Sequence, residues 1–139
     1  MTNEELFSMA VKAAQNSYSP YSHFRVGAAL LTSEGKVFTG CNIENSSFSL
    51  TNCAERTAIF KAVSEGFHDF SMIAVAGSAD DDFTKPCMPC GACLQVLSEF
   101  CSDDFAILLS NGMFKLSELM PMRFSGENIK LRIIDLAED

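Results

Sequence analysis

The stretch Pro89-Cys90-Gly91-Ala92-Cys93 places two cysteines three residues apart, directly behind a proline. Proline is favoured as the first residue of a helix, and it disfavours helical geometry in the residue before it. We therefore expect a helix to begin at Pro89, with Cys90 and Cys93 on one face of its first turn, where they can hold one metal ion. Cys87 would then lie in the preceding loop. The overlapping pair of Cys87 with Cys90 is the less favoured alternative.

An earlier segment, Cys53-Ala54-Glu55-Arg56, offers a third thiolate and a carboxylate beside it. A zinc ion with three protein ligands keeps a fourth position for water, which is typical of catalytic rather than structural sites. Glu55 could supply the proton transfer that such a water needs. Spacing alone does not bring Cys53 to the metal, because residues two apart face different sides of a regular helix. Cys53 and Glu55 converge only if Cys53 lies at the irregular helix cap.

The remaining interpretations of these cysteines are structural or redox. Cys87 could complete a closed four-thiolate zinc site, or Cys90 and Cys93 could form a redox dithiol. Cys41 and Cys101 are predicted to be small apolar core residues, as free cysteines commonly are.

Composition limits the class of protein. The 139 residues predict one domain, residues 1–139, with 47% hydrophobic residues and a net charge of −8. This charge and the absence of any basic run argue against a nucleic-acid partner. The N-terminus lacks a signal peptide and no apolar stretch is long enough to span a bilayer, so we predict a cytoplasmic protein without membrane contact. Six cysteines in that compartment favour metal binding or catalysis over disulfides.

Hydrophobic periodicity predicts an alternation of helices and strands. Helices are expected at 3–16, 53–65 and 89–101, and strands at 24–31, 36–40, 70–76 and 106–109, with brief pairing at 114–115. The segment 131–134 fits a strand or a helix equally well. This pattern predicts an α/β protein: a three-layer α/β/α arrangement with a central mixed, mostly five-stranded sheet covered by helices.

Four groups of residues, in order along nearly the whole chain, resemble the small, homotetrameric class of cytidine deaminase. They are Pro20-Tyr21-Ser22 with Phe24-Arg25-Val26-Gly27-Ala28-Ala29, Gly40-Cys41-Asn42-Ile43-Glu44-Asn45, Cys53-Ala54-Glu55-Arg56-Thr57-Ala58, and Pro89-Cys90-Gly91-Ala92-Cys93 followed by Gln95-Val96. The resemblance implies a cytidine-deaminase-like fold and one Zn²⁺ per subunit. It also implies zinc-dependent hydrolytic deamination of cytidine and 2′-deoxycytidine, with release of ammonia, in pyrimidine salvage.

The resemblance further implies a role for each site residue. Cys53, Cys90 and Cys93 would bind the zinc ion, and Glu55 would be the catalytic acid and base. Arg56 would support the site by donating a hydrogen bond to a ligating sulfur. The implied substrate-binding residues are Phe24 against the pyrimidine, Asn42 and Glu44 at the ribose hydroxyls, Ala54, and Phe124, which would reach into a neighbouring subunit's pocket and make the active sites of a homotetramer shared.

Two positions distinguish this chain within the resemblance. Related deaminases of nucleic acids and of deoxycytidylate have histidine at the position of Cys53, so the thiolate favours a free nucleoside as substrate. Leu94 stands where the family usually has arginine. Two other functions are compatible with the cysteines. One is a deaminase of another aminopyrimidine nucleoside such as blasticidin S, against which Asn42 and Glu44 argue, and the other is a non-catalytic, zinc-stabilised interaction module.

Overall fold

The computed structural model describes residues 1–129, which form a mixed five-stranded sheet with helices on both faces. The predicted element at 131–134 lies outside these residues. The strands and helices, in chain order, are α1 (Asn3–Ala14), β1 (Arg25–Thr32), β2 (Val37–Cys41), α2 (Ala54–Ser64), β3 (Phe70–Ser78), α3 (Gly91–Phe100), β4 (Ala106–Leu109), β5 (Gly112–Lys115) and α4 (Leu116–Leu119). Single 3₁₀ turns occupy Phe48–Leu50 and Gly126–Asn128.

The strand order is β2-β1-β3-β4-β5, with β3 and β4 parallel and the other pairs antiparallel. The parallel pair is connected through α3, as parallel neighbours require. Side chains alternate between the two faces of a strand, so one face of β3 sends Ile73 and Val75 toward α2 and α3. The other face sends Ala74 and Ala76 toward α1. The apolar run in β3 is therefore buried on both sides, and the predicted three-layer α/β/α fold is confirmed.

Helix α1 lies directly against β1. It begins at a capping box, in which the Glu5 amide donates to Thr2 Oγ1 at 3.1 Å and the Thr2 amide donates to Glu5 Oε2 at 3.2 Å. A Cβ atom on Gly27 would lie 1.9 Å from the Ala10 carbonyl oxygen. Glycine at this position thus permits the helix backbone to approach the sheet.

The sheet also fixes which end of the molecule carries the cysteines. The turn between β1 and β2 contains Gly35 at φ 93°, at the opposite end of these strands from Arg25 and Cys41. The segment after β2 leads into α2, and the segment after β3 leads into α3. Both helix N-termini therefore lie at one end of the sheet. Within residues 1–129, no helix has both the length and the apolar content that a membrane span requires.

Candidate metal centre and active site

The N-caps of α2 and α3 are both cysteines. Cys53 has φ −78° and ψ 158°, and Cys90 has φ −72° and ψ 169°, so each is extended just before its helix. Cys93 lies in the first turn of α3. The prediction that α3 begins at Pro89 was therefore wrong by two residues. The extended backbone suits Pro89 as well as a helix does, and it leaves Cys90 at the cap with its sulfur near Cys53.

The sulfurs of these three cysteines converge. Cys53 Sγ lies 3.9 Å from Cys90 Sγ, and Cys90 Sγ lies 3.5 Å from Cys93 Sγ. All three sulfurs lie within 4.8 Å of one another. A tetrahedral zinc ion with Zn–S bonds of about 2.3 Å separates its sulfurs by roughly 3.8 Å. The donor set and its spacing therefore fit a zinc ion.

Cys87 does not join this group. In the described part of the chain, the one cluster with metal-binding spacing consists of Cys53, Cys90 and Cys93. The Cys87 sulfur instead lies beside Gly77 of β3. This geometry favours three protein ligands over a closed four-thiolate site.

Positive charge is directed at the sulfurs. Arg56 Nη2 donates a hydrogen bond to Cys53 Sγ at 3.2 Å. Each of the two helix N-termini adds roughly half a positive charge. A hydrogen bond from Cys93, and then the Arg56 guanidinium, lower the pKa of Cys53 to about 5.

The hydrogen bond between Cys93 and Cys53 shifts the pKa of Cys93 in the opposite direction. The hydrogen bond to Cys53, together with burial, raises the pKa of Cys93 far above that of a free thiol. One of the cysteines therefore ionises readily. Its negative charge then disfavours ionisation of the neighbouring cysteines, because the sulfurs are so close. A divalent cation is the natural partner that allows all three to ionise.

Glu55, at the start of α2, is only 4% exposed. Its burial raises the pKa of its carboxyl to about 7, and the nearby Cys53 thiolate acts in the same direction. It lines a cavity of about 150 Å³ together with Cys53 and Cys90. A carboxyl that can hold or release a proton near neutrality therefore lies beside the three clustered sulfurs.

Two of the predicted substrate contacts also line this cavity, namely Asn42 and Ala54. The Asn42 side chain organises the neighbouring strand: its Nδ2 donates to the Phe24 carbonyl at 2.8 Å, and its Oδ1 accepts from the Val26 amide at 2.9 Å. Asn42 therefore couples the start of β1 to the cavity wall.

Glu44 lies three residues after the end of β2, and its carboxylate contacts the loop before β1. Its Oε1 accepts from the Tyr21 amide at 3.0 Å and from the Ser22 amide at 3.1 Å, and the Ser22 hydroxyl bonds to its Oε2. Although carboxylates are seldom buried, Glu44 is only 8% exposed, and these donors satisfy it. Its carboxylate holds the Tyr21–Ser22 turn.

The two predicted aromatic contacts are placed differently. The Phe24 ring lies beside Gly77 and Cys87, and it borders a neighbouring cavity of about 260 Å³. Phe124 is 59% exposed, and it is not among the residues that line the metal-site cavity of its own chain. An exposed aromatic ring is free to contact another subunit.

Sequence reasoning missed five residues of the cavity wall, namely Val26, Thr51, Asn52, Cys87 and Met88. Cys87 was considered only as a metal ligand. The available signal was its place in the loop immediately before the metal-binding turn.

Comparison with known proteins identifies the family to which this chain is similar. The family model for the "Cytidine and deoxycytidylate deaminase zinc-binding region" matches residues 1–109. A cytidine deaminase of Sporosarcina psychrophila is 46% identical over 93% of this chain and 96% of its own. The crystal structure of cytidine deaminase from Burkholderia pseudomallei superposes with a TM-score of 0.81 at 41% identity, over 89% of this chain and 100% of that one. A blasticidin-S deaminase of Bacillus cereus is 31% identical, over 87% of this chain and 91% of its own.

The chain belongs to the cytidine and deoxycytidylate deaminase family. The Sporosarcina psychrophila and Burkholderia pseudomallei relatives, which are more similar to this chain than the blasticidin-S deaminase is, are cytidine deaminases, so the predicted enzyme class is confirmed.

Proposed function

We propose that this protein catalyses the hydrolytic deamination of cytidine and 2′-deoxycytidine to uridine and 2′-deoxyuridine, with release of ammonia. The observation that carries the proposal is the convergence of three cysteine sulfurs at zinc-compatible distances beside the buried carboxyl of Glu55. One zinc ion per subunit would be held by Cys53, Cys90 and Cys93.

The bound zinc ion would supply the Lewis acidity that makes water reactive at neutral pH. The chain's own residues would do the rest. Arg56 and the N-termini of α2 and α3 offset the negative charge of three thiolates. Glu55 accepts a proton from the attacking water and delivers protons to N3 of the cytosine ring and to the departing amino group. Its near-neutral pKa suits it to both directions of transfer.

The substrate contacts follow from the residues around the cavity. We assign the pyrimidine to a position between Phe24 and Ala54, and the ribose hydroxyls to Asn42 and Glu44. Asn42 and Ala54 line the cavity, and Glu44 lies two residues from Asn42. A ribose site of this kind distinguishes nucleosides from free bases.

We also assign the assembly as a homotetramer with shared active sites. Several large apolar side chains lie exposed on the described surface, which is typical of an interface. They include Phe48 at 67%, Leu50 at 68%, Phe124 at 59% and Met122 at 94% exposure. In the tetramer, Phe124 would complete the pocket of an adjacent subunit.

Shared sites predict complementation between inactive variants. Phe124→Ala lacks the donated ring, and Glu55→Gln lacks the proton carrier, so tetramers of either variant alone should have little activity. Unfolding and refolding a mixture of the two should restore activity, because some pockets then combine Glu55 of one chain with Phe124 of another. The measurement is the rate of cytidine turnover by the mixture; a rate no higher than the mean of the parents contradicts sharing.

The proposed function also includes a domain extent, a pathway and a cellular compartment. We assign residues 1–139 to a single catalytic domain that acts in pyrimidine salvage in the cytoplasm. The net charge of −8 favours a neutral nucleoside over a nucleic acid.

The proposal is tested by one assay on one purified sample. Zinc content is measured first, and ammonia release is then followed with cytidine, 2′-deoxycytidine and blasticidin S. We expect one zinc per subunit and rapid turnover of the first two. Turnover of blasticidin S alone would contradict this proposal and would indicate the activity named for the Bacillus cereus relative. A zinc-loaded protein inactive on all three would contradict deamination of these substrates.

A further inference from the structure

We propose that Gly77 and Cys87 act as positioning residues that set the location of the Phe24 ring and thereby determine the affinity for the pyrimidine. This inference rests on the proposed function, since it concerns the same pocket. It assigns a role to two residues outside the metal ligands, the proton carrier and the substrate contacts assigned above.

The side chains of Cys87 and Phe24 meet at the α-carbon of Gly77. A Cβ atom built on Gly77 would lie 2.6 Å from Cys87 Sγ, 2.9 Å from Cys87 Cβ and 2.9 Å from Phe24 Cε1. Contacts this short do not occur at real Cβ atoms, so any side chain at Gly77 must displace the thiol, the ring or both.

This contact differs from the other close approaches at glycines of the sheet. A Cβ on Gly27 would meet the backbone of α1, and one on Gly40 would lie 2.5 Å from the Ala58 amide nitrogen of α2. Those glycines make room for helices. Gly77 makes room for two side chains at the edge of the cavity, which indicates a role in the pocket and not in helix packing.

Cys87 connects this point to the chemistry. Its side chain lines the cavity that also contains Glu55 and Cys90. It precedes the ligand Cys90 by three residues, with Pro89 between them. Because the metal-binding turn restrains this segment, Cys87 has little freedom to move away from Gly77.

Hydrogen bonds fix the backbone of Phe24 but leave its ring able to rotate. Its amide donates to Ser22 Oγ at 3.0 Å, and its carbonyl accepts from Asn42 Nδ2 at 2.8 Å. The ring is 38% exposed and borders the neighbouring cavity. A group added at Gly77 would therefore be accommodated mainly by rotation of the Phe24 ring away from its present position.

The test measures affinity separately from turnover. In the Glu55→Gln background, which should bind without turning over, cytidine binding is measured by calorimetry for Gly77→Ala, Cys87→Ala and the double variant. We expect Gly77→Ala to weaken binding about tenfold, a change of roughly 1.4 kcal/mol. The double variant should recover only part of this loss, because Cys87 Sγ at 2.6 Å is then absent while Phe24 Cε1 still lies 2.9 Å from the added methyl group. With Glu55 present, Gly77→Ala should raise KM by a similar factor and change kcat little.

Controls separate positioning from general damage. Gly35→Ala strains the β1–β2 turn at φ 93° and crowds nothing, so it should lower thermal stability without changing cytidine affinity. Zinc content should stay at the parent value in every variant. If Gly77→Ala does not fold, Cys87→Leu crowds the same point from the other side and should give the same loss of affinity.

Two results would overturn the inference: unchanged cytidine affinity in the folded crowding variant, or no recovery in the double variant. These results are distinct from failure of the proposed function. A parent protein that does not deaminate cytidine contradicts the function itself, whereas an active parent with an unaffected Gly77→Ala contradicts only the positioning role.

Discussion

Glu55→Gln is expected to abolish nearly all deamination of cytidine while leaving the zinc content unchanged. The Glu55 carboxyl is buried beside the three clustered sulfurs, and this burial raises its pKa to about 7, so it can both accept and donate a proton at neutral pH. Glutamine keeps the size and shape of the side chain but cannot carry this proton. General acid–base catalysis typically contributes about 10²- to 10⁴-fold, and Glu55 acts at several steps. We therefore expect kcat to fall by at least that factor.

The matched control for this change is Glu65→Gln. Glu65 is the exposed C-cap of the same helix α2, and it should tolerate the substitution with full activity and full zinc content. Substantial activity in purified Glu55→Gln, or loss of its zinc, would remove Glu55 from the role of proton carrier.

Cys90→Ala is expected to lose zinc, activity and stability together. The Cys90 sulfur lies 3.9 Å from that of Cys53 and 3.5 Å from that of Cys93. Its removal leaves two thiolate donors, too few for a tight zinc site. Because ligand binding stabilises only the folded chain, zinc loss also lowers the thermal unfolding temperature. The measurements are metal analysis, cytidine turnover and thermal denaturation of one preparation.

Cys101→Ala is the matched control. Cys101 is a buried free cysteine at the end of α3, away from the three-sulfur cluster. Its replacement creates a small cavity and should cost some stability while zinc content stays at one per subunit. Full zinc content in Cys90→Ala would mean that another residue binds the metal.

The regular elements followed from the sequence because local pattern determines them. The apolar run 70–76 predicted the central strand, which the structure extends to Ser78. The hairpin with Gly35 in its turn, and strand β4 at Ala106–Leu109, also matched. In each case a short apolar segment is bounded by a turn signal, and neighbouring residues alone decide the outcome.

The metal centre could be predicted only in part from the spacing of residues in the sequence. Local rules placed Cys90 and Cys93 together but began the helix at Pro89, because they could not anticipate the extended cap at Cys90. Cys53 reaches Cys90 only through packing of α2 near α3, a contact between distant parts of the chain. Its role as a ligand remains a prediction, which rests on the family resemblance and not on the periodicity of α2.

Contacts between loops were beyond sequence reasoning. The Glu44 carboxylate binds the Tyr21 and Ser22 amides across more than twenty residues of chain. The meeting of Gly77, Cys87 and Phe24 likewise depends on the strand pairing of β1 with β3 and on the path of the loop before α3. Such arrangements have no periodic signal, and only the folded chain reveals them.

Three cysteine sulfurs are expected to bind the zinc ion and to leave one coordination position for a light atom. X-ray absorption at the zinc edge of the purified, metal-loaded protein tests it directly. We predict three sulfur neighbours at about 2.3 Å and one oxygen or nitrogen neighbour at about 2.0 Å. Four sulfur neighbours, with Cys87 as the added ligand, would contradict the claim, as would a purified protein that binds no zinc.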